Sequence, residues 1–92
     1  MTRRKFASVW DAIEPTPEAA AHMKLRARLL ADLQARIRAE GWTQTAAARR
    51  LRVTQPRVSA LMRGKISEFS IDTLVDMLAA AGLSVEFRTR AA

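Results

Sequence analysis

The chain contains no cysteine, which excludes disulfides, thiolate nucleophiles and cysteine-based zinc sites together. The absence is compatible with a reducing compartment. Three glycines, set far apart, cannot build a phosphate-cradling loop. The single histidine, His22, stands among Ala and Met with no second histidine to share a metal. No apolar run approaches the ~20 residues that span a bilayer. The basic start, Thr2-Arg3-Arg4-Lys5, is not followed by the continuous apolar stretch of a signal peptide. Aromatic residues are 5% of the chain and scattered, which gives little basis for stacking on RNA bases. The carboxylates show no paired pattern at catalytic spacing. These absences predict a soluble cytoplasmic protein that is not an enzyme, binds no metal or cofactor and does not contact a membrane.

What the chain does have is positive charge. Sixteen Lys and Arg against nine Asp and Glu leave +7 on 92 residues, and most of the cations are Arg. Arginine's planar fork of donors suits phosphates and guanine edges, so a polyanionic partner is expected. Ordinary globular composition and this length predict one domain with one modest core.

Helix signals divide the chain. Thr16-Pro17-Glu18 reads as a cap, a first-turn proline and an acid at the positive end of a helix dipole. Helix formers then run to Glu40, and Gly41 stops them. Met23, Ala27, Leu30, Leu33 and Ile37 form the apolar stripe. Leu25 and Leu29 widen it, either as a broad core face or as a partner surface. Thr43 starts a second helix reaching about Leu51, Thr54 caps a third ending at Gly64, and Ser70 or Asp72 caps a fourth ending at Gly82. Residues 6–14 place Phe6, Val9, Trp10 and Ile13 on one face of a short amphipathic helix that Pro15 ends. That face either folds back on the domain or anchors a partner. Residues 83–90 alternate strictly, with Leu83, Val85, Phe87 and Thr89 on one side, which predicts a half-buried strand. A lone strand leaves its N–H and C=O groups unpaired. Pairing with the same strand of a second copy is the economical answer, with fraying or pairing to the N-terminal stretch as the alternatives.

The segment 43–64 carries the function. Ala48 is small where two helices cross, while Leu51, Val53, Val58 and Leu61 anchor their angle. Thr54 starts a helix whose first turn points outward. Gln55, Pro56, Arg57 and Ser59 lie where a recognition helix meets base edges; Gln suits adenine and Arg suits guanine. Thr43, Gln44, Arg49, Arg50, Arg52, Thr54, Arg63 and Lys65 are the expected phosphate contacts. Trp42 is expected to plug the core beneath them.

This segment resembles the lambda-repressor/Cro-type, or xenobiotic-response-element (XRE), helix-turn-helix. More closely, Ser8–Glu14, the Pro17-led helix, Thr43-Gln44-Thr45, Thr54–Ser59, Leu61–Ile66, Phe69–Leu74 and Ala81-Gly82-Leu83 are similar to HigA-like antitoxins, over about Phe6 to Phe87. The resemblance implies a dimeric repressor of its own operon that neutralises a RelE/HigB-like toxin. Phe6, Val9, Trp10, Ile13, Leu25 and Leu29 are then the candidate toxin contacts. The family usually has Gly in the turn between the two motif helices, where Arg52 stands here; a non-Gly residue there carries strain of order 1 kcal/mol.

The expected architecture is therefore mainly α, a lambda-repressor-like helix-turn-helix bundle of about five helices with a C-terminal β-strand pairing across a homodimer. Residues 1–15 form a basic arm and short helix, 16–82 the DNA-binding domain, and 83–92 the dimerisation strand and tail. Two third helices about 34 Å apart enter successive major grooves of a palindromic double-stranded DNA operator, which makes the protein nucleoid-associated. A stand-alone regulator, or an interaction module that has lost DNA binding, are the alternative functions.

Overall fold

Every α-helix of the computed structural model, which describes residues 16–91, begins at a side-chain hydroxyl. Helix α1 (Pro17–Glu40) is capped by Thr16, whose Oγ1 accepts from Ala19 N at 3.0 Å. Thr43 does the same for α2 (Gln44–Leu51), accepting from Ala46 N at 3.1 Å. Thr54 caps α3 (Gln55–Met62), accepting from Arg57 N at 3.3 Å. Ser70, rather than Asp72, caps α4 (Ile71–Ala80), accepting from Thr73 N at 3.1 Å. A cap of this kind contributes about 1 kcal/mol by satisfying an otherwise orphaned N–H.

The helices also stop alike. Beyond each end a residue with positive φ turns the chain back, and the next N–H bonds a carbonyl five residues earlier. These bonds are Trp42 to Ile37 at 3.2 Å, Val53 to Ala48 at 3.0 Å, Lys65 to Ala60 at 3.1 Å and Leu83 to Leu78 at 2.9 Å. Three of the turning residues are the chain's glycines, and the fourth is Arg52, at φ 60°.

The helices enclose one core. Leu30, Leu33 and Ile37 of α1, Ala47 and Leu51 of α2, Val58 and Leu61 of α3, and Leu74 and Leu78 of α4 are all buried. Phe69, just after a 3₁₀ turn at Ile66–Glu68, joins the same core and is 1% exposed. Helix α1 packs chiefly on α4, and α2 on α3. Two polar side chains tie α1 to the ends of other helices. Gln34 Nε2 donates to the Leu61 carbonyl at 2.8 Å, and Arg36 Nε to the Ala81 carbonyl at 3.0 Å.

Several expectations are corrected. Four α-helices and the 3₁₀ turn are present among the described residues; the fifth helix, expected over 6–14, lies outside them. No strand forms at 83–91. Leu83 and Val85 pack on the core, but Phe87 is 60% exposed and Thr89 is exposed. A strand needs a ladder partner, and among the described residues no backbone hydrogen bond involves 84–91. The α1 stripe is also only half core. Met23 is 44% exposed and Ala27 is exposed, because at 24 residues α1 outruns the helices of 8 to 10 residues it packs against. In contrast Leu29, a candidate partner contact, is buried core at 4% exposure. Leu25 is half-buried beside it.

Candidate nucleic-acid interface

The joint between α2 and α3 is set by small and apolar residues. Ala47 and Ala48 are buried where the two helices approach, and Leu51, Val53, Val58 and Leu61 hold them from the inside. Arg52, in the left-handed conformation, makes the reversal. Trp42 is half-buried against the same core, with the Arg50 guanidinium 5.2 Å from its ring centroid. The expected plug is thus a flank that also holds one cation.

A helix advances about 100° per residue, so Gln55, Pro56, Ser59 and Arg63 share one side of α3. Gln55, Pro56 and Arg63 are exposed and Ser59 is half-buried. The opposite side, Val58, Ala60 and Leu61, is buried. Arg57 belongs with that inner side. Its guanidinium carbon lies 4.4 Å from the Phe69 ring centroid, and Nη1 donates to the Glu68 carbonyl at 2.9 Å. The arginine expected on a base edge is engaged within the domain.

The residues expected on phosphates are all on the surface: Thr43, Gln44, Arg49, Arg50, Arg52, Thr54, Arg63 and Lys65 are exposed. The Thr43 and Thr54 oxygens accept the cap bonds, which leaves each hydroxyl proton free to donate to a phosphate. Charge reinforces the arrangement. No Asp or Glu occurs between Glu40 and Glu68, while Arg49, Arg50, Arg52, Arg57, Arg63 and Lys65 do. The ion pairs among the described residues, Arg28–Asp32 at 3.2 Å and Arg36–Glu40 at 3.4 Å, both lie on α1. The motif's cations are therefore not neutralised by acids of the described chain.

Two contributors are weakly signalled in the sequence. Gln34 falls inside the apolar stripe, between Leu30 and Ile37, and a polar residue there hints at a buried acceptor. Phe69 gives no sign that it will meet Arg57. Among the described residues no group of His, Asp and Glu could hold a metal ion, and no helix is long and apolar enough to cross a membrane.

Comparison with known proteins agrees with this geometry. The helix-turn-helix domain family HTH_37 matches residues 13–90. A solved structure whose name places it among XRE-family transcriptional regulators is 37% identical, with a TM-score of 0.74 over 79% of this chain and 82% of that one. No curated protein matches. With α2 and α3 set as a helix-turn-helix and that family covering most of its length, the chain belongs to the XRE-type helix-turn-helix domain family.

Proposed function

We propose that this chain is a sequence-specific DNA-binding transcriptional regulator. It binds a palindromic operator as a homodimer and serves as the antitoxin of a toxin–antitoxin pair. The observation that carries the DNA reading is the acid-free motif whose outer α3 face holds Gln55, Pro56, Ser59 and Arg63. Exposed cations around that face supply most of the affinity through phosphates, and the first turn of α3 supplies the choice of sequence.

The test is a binding comparison. DNA is first selected by the wild-type protein from a randomised duplex pool. Gln55→Ala is then measured on that duplex, on its single-base variants and on random DNA. The expected outcome is a loss of roughly 1–3 kcal/mol confined to one base pair. Equal weakening on selected and random DNA removes Gln55 from the role.

The antitoxin role rests on the resemblance from about Phe6 to Phe87, with a RelE/HigB-like toxin as the protein partner. Phe6, Val9, Trp10 and Ile13, the amphipathic candidates for that contact, lie outside the described residues. Within them, Met23 and Leu25 on the overhanging part of α1 remain accessible, whereas Leu29 does not. Tagged protein co-expressed with the untagged product of the neighbouring gene should carry that product through purification, and the product alone should arrest growth. If neither happens, the protein is a stand-alone regulator.

A further inference from the structure

Arg57 is the one side chain of the first α3 turn that faces inward while carrying a charge. Its stem is half-buried, its guanidinium stacks on Phe69, and Nη1 bonds the Glu68 carbonyl at 2.9 Å. That carbonyl closes the 3₁₀ turn and accepts no backbone N–H among the described residues, so Arg57 satisfies it. Phe69 is 1% exposed and adjoins Ser70, the cap of α4. One guanidinium thus joins the start of α3 to the start of α4 across the 3₁₀ turn.

We propose that Arg57 is a positioning residue: it fixes the angle at which Gln55, Pro56 and Ser59 are presented to DNA, and does not itself read a base. The inference rests on the DNA-binding reading above. To reach a base edge Arg57 has to give up both the stack and the hydrogen bond, and the polar joint from α3 to the segment before α4 is then lost. The geometry needs a flat, delocalised cation with several donors. Lysine has neither the face nor the fork, so keeping the charge does not keep the function. A phosphate contact, in contrast, tolerates lysine.

The experiment uses the full chain and a duplex enriched by the wild-type protein from a randomised pool. Affinities of wild type, Arg57→Ala, Arg57→Lys, Phe69→Leu and the Arg57→Ala/Phe69→Leu double variant are measured on that duplex and on all its single-base variants. Each protein is assayed well below its own denaturation midpoint. Arg57→Ala and Arg57→Lys should each lose about tenfold, the scale of one stacked and bonded guanidinium, with the ranking of bases unchanged at every position. The double variant should bind within about twofold of the weaker single variant, because both changes remove one joint. Flattened preference at a single base pair in Arg57→Ala, wild-type affinity in Arg57→Lys, or multiplying losses in the double variant each overturn the proposal. If Phe69→Leu does not fold, the base profiles of the two Arg57 variants decide alone. A wild type that selects no sequence sinks the DNA reading and this inference together. A selective wild type with one flattened position in Arg57→Ala sinks this inference only.

Discussion

At the scale of single residues, Arg52 has two roles that pull in opposite directions. It sits at φ 60°, ψ 41°, where three comparable turns use glycine. An L-residue with a Cβ pays about 1 kcal/mol there. Arg52→Gly should therefore raise the unfolding free energy by roughly 0.5–1 kcal/mol in urea denaturation, the gain reduced by glycine's freer unfolded chain. The same substitution removes an exposed cation. If Arg52 meets a phosphate, the salt slope of DNA binding falls by about 1 per bound chain, about 2 for a dimer, as stability rises. Lower stability would show that the arginine side chain contributes more than its backbone costs. The strained position was legible in the sequence, since a helix-turn-helix needs positive φ at that point. Arg57 was not, because its partners Glu68 and Phe69 are eleven and twelve residues on and carry no spacing signal.

At the scale of elements, caps were the most readable feature. Thr16, Thr43 and Thr54 start helices where their chemistry places them, and Gly41, Gly64 and Gly82 follow their ends. How far α1 is covered was not readable, because periodicity describes a face and not the length of what packs against it. Residues 17–24 are exposed, and burial begins in earnest at Leu29. Helix alone does not hold a short isolated stretch in water; tertiary packing does. Amide hydrogen exchange should therefore be fast over Ala20–Lys24 and slow over Leu33–Ile37, where opening requires loss of the core. Uniform protection along α1 would mean that something outside the described residues covers its first turns. The same measurement bears on the partner. If a toxin binds and is seated on Met23 and Leu25, exchange should slow there and stay unchanged at Leu33–Ile37.

For the whole molecule, the proposed homodimer would couple DNA recognition to chain pairing, with the tail at 83–91 as one candidate joint. Leu83 and Val85 lie on the core, so the first half of the alternation seen in the sequence survives as one-sided packing, while Phe87 and Thr89 are exposed. Among the described residues the backbone of 84–91 has no hydrogen-bond partner. If the tails of two copies pair through Leu83, Val85, Phe87 and Thr89, two α3 helices are held for successive major grooves. The second half-site is then bound at high effective concentration. Wild-type protein at micromolar concentration should have twice the 10.3 kDa chain mass by light scattering. Val85→Pro removes a ladder donor without breaking any backbone bond among the described residues, and should return the mass to one chain. The salt dependence provides an independent check. If the exposed cations Arg49, Arg50, Arg52, Arg63 and Lys65 of each chain meet phosphates, the log–log slope is about −9 for a dimer and about half that for a single chain. A monomeric wild type, or a Val85→Pro variant that stays dimeric with an unchanged slope, would leave the tail no part in assembly. Pairing would then have to come from the helices or from residues 1–15. A monomer with the halved slope ties the affinity of this small basic domain to its extended C-terminal segment.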